Sequence, residues 1–211
     1  SPNVVKGVSE TLAGRVGFVD LSGFDLQEVG GEYQDRLWVR GGFPRSFLAD
    51  TDEASFSWRV DFIRTFLEQD IPQLGISIPS ETLRRFWTMI AHFHAQVWNA
   101  AELARSIGRS ENTARSYLDI LSGAFMVRVL PPWYENLKKR QVKSPKIFLR
   151  DTGLLHALLQ LGTLPDIQGH PRSGASWEGF ALEHVLGTLG TGDPYFWATH
   201  SGAELDLLVM R

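Results

Sequence analysis

Apolar residues recur along this chain with two periods, and the switches between them mark its elements. Val4, Val5, Val8 and Leu12 open a short amphipathic stretch, and Val16-Gly17-Phe18-Val19-Asp20-Leu21, bounded by Ser22-Gly23, predicts a short buried strand. Glycine pairs at Gly30-Gly31 and Gly41-Gly42, with Pro44, predict that residues 30–50 are mostly loop. From Asp52 to Gln69 the positions Phe56, Val60, Ile63 and Leu67 fall at helical spacing, and Pro72 is expected to end that helix. A second helix is predicted from Ser80, with Leu83, Phe86, Trp87, Ile90 and Val97 on one stripe.

Asn99 and Glu102 have capping-box spacing before a short helix to Ile107. Gly108 supplies a turn, and Ser110 caps a further helix to Leu121. Leu103, Ala104, Ile107, Ala114 and Leu118 form the predicted shared core of a helix-turn-helix. The strand-like run Phe125 to Leu130, stopped by Pro131-Pro132, and its partner Ile147-Phe148-Leu149 add a hairpin, which makes the unit a winged helix. Beyond Asp151 the pattern predicts a helix through Leu154, Leu155, Leu158 and Leu159, then a Gly/Pro-rich linker or long loop over 162–174. A helix over 175–189, a strand at Tyr195-Phe196-Trp197, a turn at Ser201-Gly202 and a strand over 203–210 complete the chain.

Composition narrows the chemistry. The 211 residues are 43% hydrophobic and 21% charged with a net charge of -3, so the chain can bury a core and carries no uniformly basic coat. Without cysteine, disulfides, thiolate zinc sites and cysteine nucleophiles are excluded. No apolar run reaches transmembrane length and no signal-peptide pattern opens the chain, which points to a cytoplasmic protein away from membranes. The opening Ser1-Pro2-Asn3 and the strand-like close at Leu205 to Arg211 read as a piece of a longer protein.

Two clusters carry candidate chemistry. Lys138, Lys139, Arg140, Lys143, Lys146 and Arg150 lie in the hairpin with no acid among them, beside Trp133 and Tyr134. Such a wing attracts DNA phosphates, and equally suits a solvated tip or an acidic protein neighbour. On the helix before it, Asn112 and Arg115 are the residues that reach base edges. Glu111, Arg115 and Asp119 leave that helix one net negative charge, which favours backbone contact over sequence reading. The second cluster is acidic. Glu178 interrupts the apolar stripe of Leu182, Val185 and Leu189, while Glu204 and Asp206 alternate with Leu205 and Leu207 and share one strand face. Packed together, the three carboxylates would face a hard divalent metal ion; packed apart, they are a helix-start acid and a wet strand face. The six histidines form no zinc motif, and neither G-x-x-x-x-G-K-[ST] nor G-x-S-x-G occurs.

Several stretches together resemble one family. Ser9-Glu10-Thr11-Leu12-Ala13-Gly14-Arg15, Leu37-Trp38-Val39-Arg40-Gly41-Gly42-Phe43-Pro44, Asp70-Ile71-Pro72-Gln73-Leu74, Lys143-Ser144-Pro145-Lys146, Arg150-Asp151-Thr152-Gly153-Leu154-Leu155-His156 and Gly202-Ala203-Glu204-Leu205-Asp206 are similar to the late part of bacterial and archaeal AAA+ superfamily ATPases. The resemblance implies a mixed α and β, mostly α fold. Its parts are the end of the nucleotide-binding core over 1–30, a helical lid-like region over 31–97, a winged helix-turn-helix over 98–150 and a partial restriction-endonuclease-like α/β domain over 151–211. It implies that ATP and Mg²⁺ bind upstream in the intact protein, with no cofactor on this part, and that Arg15 is an arginine finger or sensor, or else a salt bridge at a strand start. It implies a DNA or protein partner coupled to nucleotide state, with a homo-oligomer as a further expectation. It also matches Glu178 and Asp206 to two nuclease positions, whereas the Glu-x-Lys that should follow does not occur before Arg211. The expectation is an ATPase piece; the rivals are a binding module without hydrolysis and a metal-dependent nuclease.

Overall fold

The computed structural model describes residues 21–133, 142–190, 192–199 and 201–210, and over these the chain is mixed α and β, mostly α. The predicted strand at 16–21, Arg15, and Lys138, Lys139 and Arg140 lie outside the described residues. The elements in chain order are α1 Leu26–Val29, α2 Gln34–Arg40, α3 Pro44–Phe47, α4 Asp52–Thr65, a π-turn Phe66–Asp70, α5 Ile71–Gln73 and α6 Ser80–His92. There follow β1 Gln96–Val97, α7 Ala100–Ile107, α8 Glu111–Gly123, β2 Val127–Leu130, β3 Lys146–Leu149, α9 Thr152–Leu158, α10 Leu164–Gln168, α11 Ser173–Leu189, β4 Asp193–Ala198 and β5 Glu204–Met210.

The two helices and the turn between them form where the spacing predicts them. The Asn99 side chain accepts from the Glu102 amide at 3.2 Å, Gly108 takes the left-handed conformation at φ 65°, and the Ser110 hydroxyl accepts from the Thr113 amide at 3.2 Å. The capping box is incomplete, because the Glu102 carboxylate accepts from the Asn99 side-chain amide rather than from its backbone. Leu103, Ala104, Ile107, Ala114 and Leu118 are buried together, as their spacing requires. β1 pairs with β3 and β3 with β2, all antiparallel, so the sheet order is β1-β3-β2.

Four expectations are corrected. Residues 30–50 are largely helical, because Leu37, Trp38 and Phe47 bury against Ile167 and Phe180 and tertiary packing overrides the glycine signal. The linker over 162–174 contains α10, closed by a capping box between Thr163 and Asp166. Pro72 does not end the helix that precedes it: the π-turn shifts the register and leaves Pro72 in the first turn of α5, where its missing amide is harmless. Val97 is not on the α6 stripe but exposed on β1, since α6 stops at His92.

One core runs across the boundaries expected at 97/98 and 150/151, uniting Ile63, Trp87, Leu103, Leu118, Ile147 and Leu155. The β3 strand divides its side chains by the two-residue period. Ile147 and Leu149 enter this core, while Phe148 joins Leu130, Leu182 and Phe196 in a separate cluster against α11 and β4. Lys146, two residues before Phe148, therefore points toward α11 as well.

Candidate functional site

The α8 helix presents Glu111, Asn112, Arg115, Ser116 and Asp119 to solvent, with Ala114, Tyr117, Leu118 and Leu121 buried behind them. Asn112 and Arg115 thus sit on the face the sequence assigns to a partner. Arg105 on α7 and Arg109 in the turn are exposed beside it, and neither they nor Arg115 form an ion pair with a described residue. The sequence reading missed Arg105 and Arg109; Arg105 falls across α7 from buried Leu103, and Arg109 lies in the turn after the left-handed Gly108.

Cations of the hairpin meet a different fate. Lys143 is exposed, but Lys146 is 4% exposed and Arg128 and Arg150 both pair with Glu183 on α11. Arg128 makes a bidentate contact, with Nη2 donating to Glu183 Oε2 at 2.8 Å and Nε to Oε1. The hairpin arms are also tied to β4 by main-chain bonds from Trp133 to Phe196, Phe196 to Pro131 and Val142 to Ala198. The assignment of Lys146 to DNA is corrected on these grounds: β3 alternation sends its side chain inward, away from any phosphate.

The acidic cluster assembles around that same lysine. Lys146 Nζ donates to Glu178 Oε1 at 2.9 Å, reaches Asp206 Oδ1 at 3.4 Å and contacts Glu204 Oε1. The Phe196 ring lies 5.7 Å from the ammonium and floors the cluster. Burial acts to lower the Lys146 pKa, but hydrogen bonds to Glu204 and Glu178 outweigh it and hold the ammonium above its ordinary value. Burial pushes the Glu178 carboxyl up, and Asp206 and Glu204 add repulsion against the opposing pull of Lys146. The sequence named the three carboxylates and set their convergence beside a helix-start acid and a wet strand face, but it did not point to Lys146 as the group between them. The Lys146 ammonium lies among these three carboxylates, and no group of three or more side chains that could hold a metal ion is found among the described residues.

Behind the site a buried polar set holds the helices in register. Asp151 caps α9 through the Leu154 amide at 2.8 Å and accepts from the Gly42 amide at 2.8 Å. A Cβ on Gly153 would stand 2.1 Å from the Arg40 carbonyl oxygen, so Gly41-Gly42 and Asp151-Thr152-Gly153 meet through bare backbone. Arg59, fully buried, donates to the Val39 and Gly153 carbonyls at 2.9 and 3.0 Å. His156 Nδ1 donates to the Val39 carbonyl and its Nε2 accepts from Ser176, whose hydroxyl in turn accepts from the Trp38 indole. Residues of the stretches Leu37 to Pro44 and Arg150 to His156 are thus hydrogen-bonded to one another directly and through Arg59 and Ser176.

No helix among the described residues is long and apolar enough to cross a membrane. No solved structure matches the chain. An uncharacterized protein of Mycobacterium tuberculosis and an uncharacterized protein of Mycobacterium bovis are each 52% identical to it over 209 residues, 99% of this chain and 47% of theirs. The chain therefore spans about half the length of the curated relatives it matches. The family described as "Domain of unknown function (DUF8612)" matches residues 31–164, well over half of the sequence, and the chain belongs to that family.

Proposed function

We propose that this chain is the partner-engaging part of a longer ATPase and that it contacts duplex DNA through a winged helix. The carrying observation is the element order α6-β1-α7-α8-β2-β3 with sheet order β1-β3-β2 and Asn112 and Arg115 exposed on α8; on the winged-helix reading, α8 would be the recognition helix. The unpaired guanidiniums of Arg105, Arg109 and Arg115 supply phosphate contacts, while Lys143 is the exposed hairpin cation among the described residues. Glu111 and Asp119 on the same face weaken any tight sequence reading, so binding is weak and mainly to the backbone.

The nucleotide half of the reading is supported by the resemblance to AAA+ ATPases and by relatives about twice as long as this chain. ATP and Mg²⁺ would be held outside these residues, where a phosphate loop supplies the amides and lysine that this sequence lacks. The chain's own contribution is to bind the partner.

Fluorescence anisotropy with a labelled duplex, read across a salt series, tests the DNA arm. The expected result is binding that falls steeply with salt. The triple variant Arg105→Ala, Arg109→Ala, Arg115→Ala should show a slope about 3 units shallower, one unit for each phosphate that is no longer neutralised. A parent protein that binds no duplex at low salt, or a triple variant with the parent's slope, would sink the DNA reading and leave a protein partner for the α8 face.

A further inference from the structure

We propose that Lys146 is the resident cation of the carboxylate cluster, that it excludes divalent metal from the wild-type protein, and that removing it opens a divalent-cation site. An ammonium carries three N–H donors, and three carboxylate oxygens, one each from Glu178, Glu204 and Asp206, surround this one. The match of donors to acceptors leaves no position for a second cation.

The lysine cannot step aside. Lys146 is paired in register with Leu130 of β2 on one side and Val97 of β1 on the other, so its backbone is locked in the middle of the sheet. Its side chain is 6% exposed and lies against the Phe196 ring. The carboxylates come from α11 and β5, so one ammonium joins β3 to both elements and holds the helix-turn-helix unit and the C-terminal elements together.

Charge sets the consequence of deletion. Three carboxylates around one ammonium leave the cluster negative, and without the ammonium their mutual repulsion would be uncompensated. The rim is open to water, because the Glu204 and Asp206 side chains are 41% and 62% exposed, so a hydrated ion can enter from that side. Carboxylate oxygens and retained waters suit a hard divalent ion. This inference is independent of the DNA reading, since no residue of the α8 face takes part.

The test is Mn²⁺ binding by electron paramagnetic resonance and calorimetry, with Lys146→Met as the uncharged variant of similar length. Wild-type protein is expected to leave free Mn²⁺ unattenuated, and its melting temperature is expected to be the same in Mn²⁺ as in sodium chloride of equal ionic strength. K146M should melt lower, recover in millimolar Mn²⁺ and bind one ion at least about tenfold more tightly than wild type. Adding Glu178→Gln to K146M should abolish the recovery. A folded K146M that binds no Mn²⁺ overturns the proposal. Should K146M not fold, the wild-type protein still decides: selective paramagnetic broadening of resonances around Lys146, Glu204 and Asp206 at micromolar Mn²⁺ overturns it, and their persistence supports it.

Discussion

Lowering the pH from 7 to 5 should destabilise this protein steeply, because two histidines are folded in as neutral groups. His94 is 1% exposed and His156 0%, and burial lowers both pKa values from 6.5 to about 3. Burial is the main reason that neither takes a proton in place, and for His94 a hydrogen bond adds to it. His94 Nδ1 accepts from the Leu149 amide at 3.0 Å, so a proton there would face a donor, while His156 Nε2 accepts from the Ser176 hydroxyl at 2.7 Å in its neutral form. A depressed folded pKa means that the unfolded chain binds more protons between pH 6.5 and about 3. The contribution is therefore complete above pH 6.5 and lost as the pH falls. At pH 5 each histidine costs about 2 kcal/mol, and the pair about 4 kcal/mol, against a typical total of roughly 5–15 kcal/mol. Glu178 acts in the opposite sense, since its raised carboxyl pKa lets the folded state take up a proton first. Urea unfolding followed by tryptophan fluorescence at the two pH values measures the loss, with Trp38 reporting from 6.2 Å beside His156. Imidazole NMR resonances in the folded protein check the cause. A stability that changes by less than about 1 kcal/mol, or a His156 resonance titrating near its ordinary value, would contradict this account of the two histidines.

Other outcomes follow from the same contacts. Gly153→Ala should cost about 1–3 kcal/mol by overpacking against the Arg40 carbonyl, read as a lower urea midpoint, whereas Gly75→Ala, with open space around it and only its positive φ to oppose the change, should cost less. Arg59→Met should cost about 3 kcal/mol, because it strands the Val39 and Gly153 carbonyls in the interior; a variant as stable as the parent would show that the guanidinium is dispensable. Glu183→Gln should free Arg128 and Arg150 together, with loss of protection of the β2 and β3 amides in hydrogen exchange. Calorimetry on these 211 residues alone should detect no micromolar ATP binding, since the sequence contains no phosphate loop; such binding would place a nucleotide site here after all.

Elements whose signals are local can be read directly along the chain. Gly108 and Ser110 set the turn between α7 and α8 and the cap of α8, and the period of Leu103, Ile107, Ala114 and Leu118 sets their shared core, because capping and amphipathic spacing act within a few residues. Alternation along β5 likewise puts Glu204 and Asp206 on one face before any partner is known. Where that face looks, and what meets it, depends on the folded chain. Lys146 reads in sequence as one more cation in a basic hairpin, yet the β3 register turns it under α11, where an ammonium and three carboxylates satisfy one another. The glycine-rich segment at 30–50 becomes helical for a similar reason, since burial of Trp38 and Phe47 against residues more than 100 positions away outweighs local propensity. Local propensities act over a turn or two. Charge compensation and burial need partners from distant positions, and only folding brings those partners together.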